Sequence, residues 1–217
     1  MAHMLLALLP MAYLLGALPF SVWISRLFYQ DDIRRHGSGN AGSTNMYRTY
    51  GLWAGLSTQL LDIAKGSLAA ALPLLLAPGV PAWLGLQGLQ LVLGLTAVLG
   101  HVYSVFIKFK GGKGVNTMLG MMLVVAPWGS LVAIGAFALM LLSTRMVSVG
   151  SMVGVLAFNT WLWLAQPAGP YLLHGVGAAL FLFVVYTHRS NIVRIRQGSE
   201  RRIQFSRKSG AARPGHG

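Results

Sequence analysis

Four long apolar runs, 4–25, 51–77, 83–107 and 171–188, dictate what this chain can become, and a fifth at 147–165 is nearly as clear. A helix of about 20 residues crosses the ~30 Å hydrocarbon core of a bilayer. Within that core only helices and closed barrels satisfy every backbone N–H and C=O group. The expected solvent is therefore a membrane and the expected fold class all-α, a polytopic membrane protein. Composition agrees: 55% of the 217 residues are hydrophobic, 10% are charged and the mean hydropathy is +0.62. Soluble domains carry about 25% charged residues.

The stretch 115–143 is harder to assign, because Pro127, Trp128 and Gly129 divide it into two pieces, each short for a span. Loop charge decides the matter, since Lys and Arg gather on the cytoplasmic side of membrane proteins. Segments 26–48, 108–113 and 189–213 are rich in Lys and Arg, whereas 77–83, 126–130 and 165–171 have none. One long helix would put Arg145 and the basic tail on the wrong side. Two short helices, around 115–126 and 129–143, restore the pattern. The expectation is about seven transmembrane helices, the N-terminus outside, and every basic residue except Lys65 on the cytoplasmic face. The first run lacks a basic leading segment and enters a polar loop directly, so it reads as a span and not as a cleaved signal. Residues 1–205 then form a single transmembrane domain, and 206–217, rich in Gly, Arg and Ser, form a disordered tail.

The formal charge of +13 is thus a property of loops. No nucleic-acid recognition motif accompanies it, and nucleic acid is not an expected partner. Without cysteine there is no disulfide framework or thiolate chemistry, and no histidine cluster with carboxylates offers a metal site. Neither metal nor cofactor is expected.

Three polar segments could carry chemistry. The first runs Gly37-Ser38-Gly39-Asn40-Ala41-Gly42-Ser43-Thr44-Asn45, followed by Arg48. Its glycines permit a backbone nest for phosphate oxygens, its hydroxyls and amides add neutral donors, and Arg48 adds a planar fork. The plainer reading is a Gly/Ser turn at a membrane surface. The second runs Gly100-His101-Val102-Tyr103 to Phe109-Lys110-Gly111-Gly112-Lys113-Gly114. Ile107 and Gly114 break the P-loop pattern, so nucleotide hydrolysis is unsupported, but glycines beside lysines still describe an anion cradle. The plainer reading is a basic flank lying on lipid headgroups. The third is split. Arg145, Ser148 and Ser151 are spaced by three and share one side of a helix starting near 146, and His188 and Asn191 have the same spacing after the last span. The plainer reading of His188 is a helix-end cap. Asp62 and Lys65, at i, i+3 inside the second span, read as a structural ion pair well below the polar face. Gly51/Gly55 and Gly150/Gly154 read as close helix packing.

In this order the three segments resemble the acyl-phosphate-dependent glycerol-3-phosphate acyltransferases of bacteria, the PlsY family, over residues 4 to about 203. The resemblance implies a seven-helix enzyme of the bacterial cytoplasmic (inner) membrane with a cytoplasmic active site. It would make lysophosphatidic acid for phospholipid synthesis without metal or acyl-CoA. Matching positions imply glycerol-3-phosphate binding by Ser38, Asn45, Arg48, Gly111, Gly112, Lys113 and Gly114. They imply acyl-phosphate binding by Asn40, Thr44, Ser148, Ser151, His188 and Asn191, with His188, Asn191 and Ser38 catalytic. Around His188 the chain departs from the family, which often has Arg in place of Thr187 and Glu in place of Ser190.

The implied partners are glycerol 3-phosphate, a long-chain acyl phosphate and membrane lipid, with a monomer as the expected state. Either His188 or a phosphate oxygen of the donor would take the hydroxyl proton. An acyl-CoA enzyme of the His-x4-Asp type is disfavoured, because no histidine has Asp five positions later. An anion or phosphate-ester transporter using the same loops is the rival from another class, but it should place its site near the midplane within repeated halves. No clear repeat is present. A lipid-binding scaffold would leave the glycine cradles unexplained.

Overall fold

The computed structural model describes residues 2–74 and 85–203, with side chains from residue 7 onward. The uncharged loop expected at 77–83 and the tail expected at 206–217 lie outside the described residues. The chain is all-helical and no strand occurs among the described residues. The α-helices are α1 (Ala2–Ala17), α2 (Phe20–Tyr29), α3 (Ser43–Tyr50), α4 (Leu52–Ala71), α5 (Gly85–Val102), α6 (Val115–Val125), α7 (Pro127–Thr144), α8 (Val147–Ala165), α9 (Tyr171–Thr187) and α10 (Arg189–Arg196).

Helices α7 and α8, and α5 with the 3-10 turn that prolongs it to Ile107, are long and apolar enough to cross a membrane. The bent pairs α1–α2 and α9–α10 bring the number of spans to as many as five. The seven crossings expected from loop charge also require α4, which carries Asp62 and Lys65, and α6, which has only 11 residues.

The expected break in 115–143 is present. Ala126 leaves helical geometry (φ −145°, ψ 71°), and Pro127 opens α7, where its missing N–H costs no hydrogen bond. The first run, expected as one span over 4–25, is instead two helices bent by 40° at Leu18–Pro19. Proline disfavours helical geometry at the residue before it and lacks the N–H that would continue the ladder. A second correction concerns Arg145. It is the left-handed C-cap of α7 (φ +61°), outside α8, so it does not share a helix face with Ser148 and Ser151.

Small residues set how closely the helices approach. A Cβ on Gly66 or Gly120 would overlap backbone across the α4–α6 contact, and one on Gly16 or Gly100 would overlap backbone across α1–α5. Gly150 and Gly154 lie against Phe137 and Ala133 of α7, as expected for a packing pair. Gly51 differs from the expectation: with φ +88° and nothing near its Cβ position, it is the turn between α3 and α4. Met118, Met121 and Met122 of α6 join Phe158 and Leu162 of α8 in the largest core cluster among the described residues.

Candidate active site

Asn45 builds the first polar segment. Its amide Nδ2 donates to the carbonyls of Ile33 (3.2 Å), His36 (3.0 Å) and Asn40 (3.1 Å), and its Oδ1 accepts from the Ser38 N–H at 3.2 Å. One buried side chain therefore folds residues 33–42 around itself. Gly37 and Gly39 turn through the left-handed region (φ +58° and +69°) to make that path. Ser38 is left exposed, with Asn40 and Thr44 half-buried beside it. Helix α3 starts after Gly42 with no side-chain cap, so its first N–H groups retain donor capacity. One turn beyond Thr44, Arg48 donates from Nη2 to the Arg201 carbonyl at 2.9 Å. Its Nε is buried without a hydrogen-bond partner among the described residues.

The second segment is held differently. The Gly111 N–H donates to the Val102 carbonyl (3.0 Å) and the Gly112 N–H to the His101 carbonyl (3.2 Å), so both amides are engaged by the end of α5. A Cβ on Gly111 would overlap the His101 carbonyl, and one on Gly112 the His101 ring. These glycines provide closeness to α5 and not free amides, which revises the cradle expected from their sequence. Lys113 follows them directly, and Gly114 caps α6 in left-handed geometry (φ +79°). Burial pushes the Lys113 ammonium down to about 8; Glu200 opposes the shift, while Arg194 and Arg48 add to it.

In the third segment a carboxylate gathers the donors. Lys113 Nζ donates to Asn191 Oδ1. Asn191 Nδ2 donates to Glu200 Oε1 at 2.7 Å, Ser148 Oγ donates to the same oxygen at 2.8 Å, and Arg194 Nε donates to Oε2 at 2.9 Å. Burial alone would raise the Glu200 pKa, but the bonds from Asn191, Ser148 and Arg194 outweigh it and hold the carboxyl below its ordinary value. His188 sits at the 58° bend between α9 and α10 and is 3% exposed. Its Nδ1 lies 2.9 Å from the Val184 carbonyl. A carbonyl only accepts, so Nδ1 carries the proton and Nε2 of the neutral ring keeps its lone pair.

The glycerol-3-phosphate acyltransferase family model matches residues 6–198. The chain belongs to the glycerol-3-phosphate acyltransferase family. Among similar proteins, the glycerol-3-phosphate acyltransferase of Levilactobacillus brevis is 45% identical over 203 residues, covering 94% of this chain and 95% of that protein. That of Chlorobaculum parvum is 40% identical, covering 94% and 98%. Among solved structures, PlsY (YgiH), an integral membrane glycerol 3-phosphate acyltransferase, is similar in its glycerol 3-phosphate form, with a TM-score of 0.82 and 34% identity. That match covers 92% of this chain and 96% of the other. The lysophosphatidic acid form matches with a TM-score of 0.79.

In this acyltransferase chain, Lys113, Ser148 and Asn191 come together through Glu200, with Arg48 alongside and Ser151 buried one turn deeper on α8. Asn45 is buried at 3% exposure and its amide is committed to the loop it folds. Two contributors are missing from the expected set. Glu200 is the hub, and its only sequence signal is that it is the one carboxylate among the cations of the C-terminal segment. Asn116 is the other: its Nδ2 donates to Ser43 Oγ at 2.9 Å and ties the start of α6 to the start of α3. No spacing signal announces that pair.

Proposed function

We propose that this chain transfers a fatty acyl group from a long-chain acyl phosphate to the 1-hydroxyl of glycerol 3-phosphate, giving lysophosphatidic acid and inorganic phosphate. The reaction takes place at the cytoplasmic face of a bacterial inner membrane, with seven crossings, the N-terminus outside and a monomer sufficient. The observation that supports this reading is the side-chain path Ser148–Glu200–Asn191–Lys113, with Arg48 and Arg194 beside it. Three cations against one carboxylate leave a positive surplus, which suits two phosphate-bearing substrates.

Arg48, Lys113 and the first turn of α6 hold glycerol 3-phosphate. Ser38 serves the glycerol 3-phosphate side, and Asn40, Thr44, Ser148, Ser151 and Asn191 face the donor. The hydroxyl oxygen attacks the acyl carbonyl carbon, the carbon–oxygen bond to phosphate breaks, and the ester remains. His188 Nε2 accepts a hydrogen bond from the attacking hydroxyl and orients it. The Val184 carbonyl behind the ring supplies no negative charge to steady an imidazolium, so the departing phosphate oxygen takes the proton.

Purified protein given glycerol 3-phosphate and palmitoyl phosphate should form lysophosphatidic acid, and palmitoyl-CoA should not replace the donor. Product from palmitoyl-CoA alone rejects the donor assignment, and no product from either rejects the enzyme. His188→Gln, which keeps an acceptor but is not a base, should retain on the order of a tenth of turnover; a loss beyond about 1,000-fold would make His188 the base.

A further inference from the structure

Beneath the second glycine segment lie three ionisable side chains that the proposed mechanism does not use. Asp62 and Lys65 of α4 are each 2% exposed and His101 of α5 is 7% exposed. Lys65 Nζ is 2.7 Å from Asp62 Oδ1, and His101 Nδ1 is 3.5 Å from the same oxygen. Lys65 also donates to the Leu18 carbonyl at 2.9 Å, a group that the break at Pro19 leaves without a helical partner. The sequence placed the pair well below the polar face; instead it shares a small cleft with Ala41, Gly111 and Gly112. An isolated Asp–Lys pair at i, i+3 would need neither His101 nor the helix break. Buried charge in a membrane bundle is expensive, and an apolar replacement is often as stable.

What the cluster reaches is the floor of the cradle. The far edge of the His101 ring is flush against Gly112, where a Cβ would strike Nε2 and approach the Ala41 carbonyl to 3.2 Å. The His101 carbonyl receives the Gly112 N–H at 3.2 Å. One residue therefore carries Gly112 on both its backbone and its ring, at the point where the first and second polar segments meet. We propose that Asp62 and His101 form a buried positioning dyad that sets the height and tilt of Gly111–Gly112, and through them Lys113, for binding the phosphate of glycerol 3-phosphate. Lys65 neutralises Asp62 and locks it to the bend in the first span. The dyad touches no substrate; it acts through the loop it supports.

This rests on the reading of Gly111–Lys113 as part of the glycerol 3-phosphate subsite. His101→Ala and the charge-balanced pair Asp62→Asn/Lys65→Met should raise KM for glycerol 3-phosphate about tenfold, with kcat and KM for palmitoyl phosphate within about twofold. Gly112→Ala should lose most activity through its collision with the ring, and adding His101→Ala should recover at least about tenfold of that loss. Unchanged KM values in the His101 variant, or no recovery in the double variant, overturn the dyad. If His101→Ala does not fold, His101→Leu, which keeps bulk but has no donor for Asp62, repeats the test; loss of fold in both assigns the cluster to stability alone and also overturns it. Wild-type protein without product removes the functional reading, whereas active wild type with unaltered variants removes only the dyad.

Discussion

The two glycine-rich segments are similar in composition and owe their glycines to different physics. In the first, Gly37 and Gly39 supply left-handed turns around the Asn45 amide, and a Cβ on Gly39 would find its nearest neighbour 3.5 Å away. In the second, Gly111 and Gly112 supply absence of bulk: their amides are bonded to α5 and a Cβ would overlap it. The first loop is shaped by torsion, with contact added only at Gly37, whose Cβ would overlap Asn45 Oδ1, and the second is shaped by contact with α5. Donors at the first come from Ser38, Thr44 and Arg48, and the second contributes chiefly the Lys113 ammonium, carried on a packed support.

Lys113→Ala should strike this division hardest, lowering kcat/KM for glycerol 3-phosphate by about 100- to 1,000-fold while the protein stays folded and monodisperse in detergent. A near-normal rate would remove Lys113 from the site. Gly111→Ala should follow, because displacing the loop by the bulk of one methyl costs on the order of 100-fold when a binding group is misplaced. If it behaved like wild type, contact would not be what shapes the second loop.

Acidity offers a third test. Because burial brings the Lys113 ammonium down to about 8, the cation that binds phosphate is present below that pH and lost above it. KM for glycerol 3-phosphate should therefore climb about tenfold per pH unit beyond pH 8, and Lys113→Arg should flatten that limb. The smallest effect is expected from Gly39→Ala: about 1 kcal/mol of left-handed strain with space for the methyl, and a rate within about fivefold of wild type. A loss as large as that of Gly111→Ala would erase the distinction between the two loops.

Much of the fold was legible because hydrocarbon imposes its requirement residue by residue. Apolar runs of helical span length announced α5, α8 and α9, and Pro127 with loop charge announced the α6–α7 break, but α7, expected as a short helix over 129–143, has 18 residues and is long enough to cross. The bend at Leu18–Pro19 was missed although Pro19 stood in view, since one proline inside an apolar run does not reveal whether neighbouring helices will accommodate a break. At the site, residues rich in donors were legible by type. Their grouping was not, because Ser148 and Asn191 meet through Glu200 at separations of 52 and 9 residues.

By itself the sequence determined the membrane as solvent, the helical class and the list of groups able to hold phosphate, all of which follow from local composition and period. Only the tertiary structure decided that Gly111 and Gly112 amides are already bonded, that Glu200 gathers the donors, and that Asp62 and Lys65 lie under the cradle and not far beneath it. Those outcomes depend on which carbonyl or carboxylate each donor meets in space, and hydrogen bonds and charge pairs act over a few ångströms regardless of separation along the chain.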